Sequence, residues 1–498
     1  MAAPITNTGN FKGGYFVLNN NTEQFFSSDG DGFCVTHKEI KGLLQVILTM
    51  ISGAENYIKI CSFIIDNKQV VDALKQHLII GKVSIFILTQ VDDKKIKSDL
   101  LDEYENTEIS RSRHFEFIDE LVKFGAHIRA SSTAHAKFVV KDGDEALIMS
   151  SNLTEPSLSN NEKGKDPNDE SGIMISNHTE VLYLERIFDS IFLYGTEFRG
   201  FINLKDQIQL ISKNEIEILA SDFPPTDSNL IWTYENFHHL LYENLINAIS
   251  QANISILIST YSIVGLNNLQ ELTDNIKSFI ERGNTSVKIF CRAMNHRLDH
   301  LGACKILADL GVEIYGDMFN HSKGISIDSN HGILFTANID GKHGLKNGFE
   351  IGYIIEHSNK AFEKFNNFLE TQIQSAPYIF SVFPLKEDVF DFFRSWYLEK
   401  QTKISMVIPD TIEIKYKLNT TFSQEFIENI TNYPIFYKVI PKENGNEIQF
   451  EINDKSYLLE SLNDTIFVLK RPLDRNETKN AEKYMFFYNN IYLTSYES

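Results

Sequence analysis

Two stretches of this chain repeat one another around the same set of polar residues. The first reads His135-Ala136-Lys137-Phe138-Val139-Val140-Lys141-Asp142 and continues to Met149-Ser150-Ser151-Asn152. The second reads His321-Ser322-Lys323-Gly324-Ile325-Ser326-Ile327-Asp328 and continues to Phe335-Thr336-Ala337-Asn338. The spacing from His to Asn is identical. Further on, Glu170-Ser171-Gly172 matches Glu350-Ile351-Gly352. Six positions thus recur in order, and the chain must carry two copies of one structural plan.

The flanking pattern repeats as well. In the first copy a helical pattern over Lys38 to Ser52 precedes alternating Tyr57 to Phe63, which reads as a strand. Amphipathic Val70 to Ile80, closed by Gly81, leads to a strand over Val83 to Leu88. A helix over Phe115 to Phe124, closed by Gly125, leads to a strand over Ala126 to Ala130. The second copy has helices over Asn236 to Ser250, Leu269 to Ile280 and Leu298 to Leu310. Its strands cover Ile254 to Tyr261, Val287 to Phe290 and Val312 to Tyr315. Glycine just past a helix supplies the left-handed residue that stops it. Strand-helix alternation argues for parallel strands with helices on the faces of the sheet. Within each motif, His and Lys two apart share one side of an extended segment. Asp142-Gly143 is a hairpin turn that returns Ser150 and Asn152 beside them, and Asp328 to Gly332 makes the equivalent turn.

The expected organisation is a first repeat over 1–205, a linker over 206–228 marked by Pro224-Pro225, a second repeat over 229–375, and an accessory domain over 376–498. Short alternating strands are expected in the last segment at Thr402 to Ile408, Thr411 to Leu418, Ile435 to Ile440, Glu447 to Ile452 and Thr465 to Leu469. A helix is expected over Lys479 to Asn490.

With 498 residues, 42% of them hydrophobic, the chain can bury a large core. A net charge of −20 argues against broad sequence-independent nucleic-acid binding, though it leaves room for a local basic groove. Cys34, Cys61, Cys291 and Cys304 form no CxxC pair and lie beside apolar residues. They read as reduced core residues in a cytoplasmic protein. No signal peptide, bilayer-length apolar run or lipidation signal is visible.

A phosphodiester reaction needs a nucleophile, cations for the non-bridging oxygens and an acid for the leaving oxygen. Two copies of His, Lys and Asn facing one another supply all three without a metal or other cofactor. The remaining histidines show no metal-ligand spacing. Lys342 and Lys346, between Asn338 and Glu350, and Lys163 and Lys165 at the matching place, are candidates for contact with a phosphate backbone. Lys94, Lys95 and Lys97 read equally as a third contact or as a charged face. The Arg292 to Arg297 segment reads as a loop at the sheet edge.

The motif pair resembles the phospholipase D superfamily, whose signature is HxKxxxxD followed by GSxN. The resemblance covers Lys38 to His357. It implies an α/β fold of two tandem α/β/α repeats with mixed sheets, here with a smaller β-rich C-terminal domain. It also implies a site at a pseudo-two-fold axis within one chain, so that no dimer is needed. By that resemblance His135 and His321 are nucleophile and general acid/base, with His135 the nucleophile. Lys137, Lys323, Asn152 and Asn338 hold phosphate, Ser150 and Thr336 assist through their hydroxyls, and Asp142, Asp328, Glu170 and Glu350 orient the site. The sequence departs from the signature where Met149 and Phe335 replace its glycine. Three substrate readings follow: a nuclease acting on DNA or RNA, in bacterial or antiviral defence with a helicase or ATPase partner; a phospholipase or phosphatidyl transferase; and a binding scaffold without activity.

Overall fold

The computed structural model describes residues 13–392 apart from 21–24, 26–28, 93–95, 97–106, 160–165, 203–207, 213–217, 236, 284, 296, 386–387 and 390–391. Beyond residue 392 it describes backbone strands between residues 412 and 496. The chain divides into two compact units. One comprises Thr22–Arg292 with Leu310–Ala376; the other comprises Met1–Asn21, Ala293–Asp309 and Pro377–Ser498.

The larger unit holds both motif copies, each on its own mixed sheet. In the first sheet Tyr57–Cys61, Ser84–Thr89 and His127–Ala130 run parallel. On the other side of Tyr57–Cys61 the pairing turns antiparallel, through Phe138–Lys141, Glu145–Met149, Glu170–Ile175 and Phe33–His37. The second copy repeats the order: Glu313–Asp317, Ser286–Arg292, Ser255–Thr260, Gly324–Ile327, His331–Phe335, Phe349–Glu356 and Leu230–Tyr234. The helix–strand alternation accounts only for the parallel half. The motif hairpin inserts antiparallel beside the first strand of each copy and makes the sheets mixed, as the family resemblance implies.

The helices form where the apolar spacing places them. Lys68–Ile80 is capped by Asn67, whose side chain accepts from the Val70 N–H, and ends at Gly81 with φ of 70°. The first helix begins at Gly42 rather than near Lys38, because Lys38 takes a positive φ of 49° in a tight turn. That turn joins Phe33–His37 to Ile40–Lys41, strands hidden within the region read as helix or loop. Their counterparts Leu230–Tyr234 and His238–His239 occupy the start of the helix expected from Asn236, which begins at Leu240. Thr107–Lys123 is longer than expected. Ile208–Ser212, inside the stretch expected to be linker, pairs with Phe198–Ile202 as an edge strand.

One apolar cluster joins the two copies within this unit, from Phe33, Phe138 and Phe188 to Trp232, Phe349, Phe365 and Phe368. Phe138 meets Phe349 edge-on at 6.2 Å, and Phe33 meets Phe365 at 6.0 Å and Phe368 at 5.7 Å. Each such ring contributes about 2–3 kcal/mol by burial. The motif strands are therefore held from behind by shared core.

In the smaller unit Gly14–Leu18 pairs with Tyr378–Val382, and Asn295 clamps Phe16 by accepting from its N–H and donating to its carbonyl. The Asn295 side chain is thus a structural fastener. A six-stranded sheet contains Ile412–Lys417, Phe436–Lys442, Gly445–Ile452, Lys455–Asn463, Ile466–Leu473 and Ile491–Tyr496. Lys455–Asn463 and Ile491–Tyr496 were not expected. Thr402 to Ile408 and Lys479 to Asn490 lie outside the described residues, as do Lys94, Lys95, Lys97, Lys163, Lys165 and His296. All four cysteines are buried free thiols. Among the described residues no helix is long and apolar enough to cross a membrane.

Candidate active site

The two motifs meet through backbone pairing across the repeats. Ala134 bridges Phe349, and Asn320 bridges Asp169. The His135 N–H donates to the Phe349 carbonyl at 3.2 Å, and the His321 N–H to the Asp169 carbonyl at 3.0 Å. Each histidine is thereby set beside the glutamate of the other copy. His135 Nδ1 lies 2.6 Å from Glu350 Oε1, and His321 Nδ1 lies 2.6 Å from Glu170 Oε1. With Nδ1–H donated to a carboxylate, Nε2 carries the lone pair or the exchangeable proton.

Each glutamate is held in turn. Ser150 Oγ donates to Glu170 Oε2 and Thr336 Oγ1 to Glu350 Oε2, both at 2.5 Å. Both hydroxyls are fully buried and also accept from a backbone N–H, of Ser171 and Ile351 respectively. Ser150 and Thr336, expected among the substrate-binding residues, direct their hydroxyls at the glutamates. A hydroxyl has one proton, and each gives it to its glutamate.

Lys137 and Lys323 are buried, at 0% and 1% exposure; Lys137 acts on Glu350, and both act on His135. Each ammonium donates to the carbonyl of its own histidine, at 2.5 Å and 2.6 Å. Two lysines and two glutamates thus balance their formal charges in one buried cluster. Asn152 and Asn338 each bury an amide oxygen that has no hydrogen-bond partner in the structure. Such an atom is costly to leave unpaired, and a half-turn of the amide would present an N–H donor there.

The motif aspartates sit elsewhere. Asp142 and Asp328 occupy the hairpin turns with φ of 53° and 54°. The Asp142 carboxylate accepts from the N–H groups of Glu55, Asn56 and Tyr57, and Asp328 from those of Asn253, Ile254 and Ser255. They pin the entrance of each first strand to the motif hairpin. Any orientation they give the site runs through these strand ends. Burial pushes both carboxyls up, but the three N–H groups outweigh it and hold each below the usual aspartate value. A depressed folded pKa gives stability that is full above the unfolded value and lost as pH falls through the folded one. Asp142→Ala is therefore expected to cost about 2 kcal/mol at neutral pH. Urea melts should show this loss shrinking towards acid pH, while kcat of the remaining folded enzyme changes little.

Lys346 lies on the same segment as Lys342. Its ammonium donates to the Asn268 carbonyl at 2.9 Å and lies 4.5 Å over the Tyr242 ring, so it is engaged locally. Lys342 is exposed, in the segment between Asn338 and Glu350.

Met149 and Phe335, where the signature has glycine, lie directly opposite glycines in the neighbouring strand. Met149 pairs with Gly172 and Phe335 with Gly352. A Cβ on Gly172 would lie 2.6 Å from Leu43 Cδ2 and 3.1 Å from Met149 Cβ. The bulk has moved from one strand to its partner, and the sheet stays closed. Gly172→Ala should destabilise by about 1–3 kcal/mol through this crowding, measurable as a lowered urea midpoint.

Two further site residues escaped the sequence reading. The ring of Phe63 packs edge-on to His135 at 5.7 Å, and that of Tyr261 to His321 at 5.2 Å. The available signal was their matched place, after Cys61-Ser62 in one copy and Ser259-Thr260 in the other.

The two histidines differ in setting. His135 keeps 29% of its side chain exposed, against 3% for His321. Apart from that open edge the His135 ring is enclosed, and burial lowers its pKa below the ordinary histidine value although Glu350 opposes the shift. Burial alone would raise Glu350; His135 and Lys137 outweigh it and hold Glu350 in the carboxylate form.

A family model described as "Cardiolipin synthase, PLD-like domain" matches residues 47–192 and 245–373, more than half of the chain. No curated protein is significantly similar in sequence. Among solved structures, the phosphatidylserine synthase of Haemophilus influenzae Rd KW20 is 12% identical, with 78% of this chain and 98% of that one covered and a TM-score of 0.48. The polyphosphate kinase of Porphyromonas gingivalis is 11% identical, with coverage of 68% and 50% and a TM-score of 0.42. The phospholipase D family member Nuc of Salmonella typhimurium is 20% identical, with coverage of 30% and 95% and a TM-score of 0.26.

Proposed function

Since the chain belongs to the phospholipase D superfamily, we propose that it hydrolyses phosphodiester bonds of nucleic acid through a phosphohistidine on His135. The observation that carries the reaction is the crossed pairing of each histidine with the other copy's glutamate beside a buried lysine.

The Nε2 lone pair of neutral His135 attacks phosphorus. Its greater exposure and lowered pKa favour it for this role. Lys137, Lys323, Asn152 and Asn338 hold the non-bridging oxygens, so the chain's own side chains supply the positive charge. The phosphorus–oxygen bond breaks, and the leaving oxygen takes the proton from His321 Nε2. His321 then removes a proton from water. The water oxygen attacks phosphorus, and the phosphorus–nitrogen bond returns its electron pair to His135. Glu350 and Glu170 hold the rings and their tautomers throughout. Because the nucleophile must be unprotonated, the acid limb of the pH–rate profile should lie below about 6.5, the ordinary histidine value.

Nucleic acid is supported by Lys342, exposed on the segment between Asn338 and Glu350, which we assign to a flanking phosphate. The net charge of −20 opposes unaided binding, so loading by a helicase or ATPase, in a cytoplasmic defence system, is the proposed setting. A lipid substrate is the second reading, favoured by the description of the matching family model.

The test is incubation with single- and double-stranded DNA, RNA and phosphatidylcholine vesicles, all in EDTA. Nucleic-acid cleavage that disappears in His135→Ala and His321→Ala is the expected result. Headgroup release without nucleic-acid cleavage would overturn the substrate, and strict dependence on added Mg²⁺ would overturn the mechanism.

A further inference from the structure

The pseudo-two-fold axis makes the two histidines equivalent in sequence and in their glutamate partners, yet the protein behind them is not equivalent. Ala134 and Ala136 flank His135. Both are buried in the apolar cluster that contains Cys61, Phe138, Phe188 and Ile191. Their counterparts flanking His321 are Asn320 and Ser322, both fully buried.

These two belong to a closed hydrogen-bonded group. Asn320 Nδ2 donates to the Thr260 carbonyl at 2.8 Å, and its Oδ1 accepts from the Ser322 N–H at 3.2 Å and from Ser322 Oγ at 2.8 Å. Gln372, on the helix Ala361–Gln374, donates through Nε2 to Ser322 Oγ at 2.9 Å and to Asn320 Oδ1 at 3.2 Å. Ser259 Oγ on the adjacent strand lies 2.8 Å from Ser322 Oγ. Gln372 and Ser259 are buried as well.

A buried polar group of this size costs more to assemble than the alanine packing in the other copy. The fold does not require it, since the first copy closes without it. Its chemical effect is on the segment it grips. Hydrogen bonds fix the segment that carries His321, whereas the neighbours of His135 pack in apolar side chains. The network also clamps the backbone on both sides of His321, which must deliver and then recover a proton at one place.

We propose that Asn320, Ser322, Ser259 and Gln372 form a positioning network that makes the two histidines unequal, keeping His321 as acid and base so that phosphorus is transferred only to His135. This rests on the roles assigned above. The network breaks the symmetry that the duplicated motifs would otherwise impose, and it gives the substrate one direction in the site.

The test uses the full chain and bis(p-nitrophenyl) phosphate, quenched in alkaline denaturant and mapped by peptide mass. In the unaltered protein the adduct is expected on the His135 peptide alone. The variant Asn320→Ala/Ser322→Ala/Gln372→Leu, which copies the surroundings of His135, is expected to place adduct on both histidine peptides. Ser322→Ala alone, a milder change should the triple variant misfold, is expected to place part of the adduct on the His321 peptide. Adduct on the His321 peptide in the unaltered protein would overturn the role assignment itself. Adduct confined to His135 in both the folded triple variant and Ser322→Ala would overturn the network's role and leave that assignment standing.

Discussion

His321→Ala is expected to release one equivalent of p-nitrophenol from bis(p-nitrophenyl) phosphate in a burst and then to stall, with the adduct held on His135. His135→Ala is expected to give no burst. The difference follows from the leaving group. p-Nitrophenolate departs without protonation, so attack by His135 survives the loss of the acid, but water then lacks a base. With an alkoxide leaving group such as a nucleotide, His321→Ala should lose about 10²–10⁴-fold in kcat. Loss of the nucleophile should cost about 10⁵–10⁶-fold on either substrate. Stopped-flow absorbance and intact-protein mass check both statements. A burst in His135→Ala would exchange the two roles.

The second large effect concerns the crossed glutamates. Glu350→Gln removes the charge that opposes the burial of His135. The His135 pKa should fall further, and the acid limb of the rate profile should move to lower pH. Loss of ring orientation should lower kcat by about 10–100-fold. The same change takes from buried Lys137 the carboxylate it acts on, which should destabilise the fold by about 3–5 kcal/mol. Urea melts and pH–rate profiles on the same preparation separate the two consequences. In the unaltered protein the sign for stability is fixed by the same group. Glu350 is depressed in the folded state, so its contribution is full above the unfolded carboxyl value near 4.3 and is lost as pH falls through the folded one. An unchanged acid limb in Glu350→Gln would show that this carboxylate does not govern the His135 proton.

The motif positions and their helices and strands were readable because they rest on local signals. Periodicity placed Tyr57–Cys61, Ser84–Thr89 and Lys68–Ile80 within a few residues, and Gly81 stops its helix in the left-handed conformation as expected. Strands Phe33–His37 and Leu230–Tyr234 were missed. They are short and apolar, and gain their identity only by pairing with the glutamate strands. That Ser150 and Thr336 direct their protons at Glu170 and Glu350 was not readable, because nothing in the spacing shows where a hydroxyl points. The partners of Asp142 and Asp328 were unreadable for a related reason. Motif membership suggested the site, whereas their partners are backbone N–H groups more than seventy residues away in sequence.

The repeated His-Lys-Asn-Glu set by itself determined the family, the two-copy α/β plan and the reaction class, because residue type and spacing are local properties that survive without coordinates. Only the tertiary structure decided that Glu350 serves His135 and Glu170 serves His321. That crossing depends on the bridges at Ala134–Phe349 and Asp169–Asn320, contacts between segments far apart in the chain. The inequality of the two histidines is likewise tertiary: Ala136 and Ser322 differ by one oxygen in sequence, but one lies in an apolar cluster and the other meets Ser259 and Gln372. Burial multiplies such a difference, because a hydrogen bond away from water is stronger and has no solvent partner to replace it.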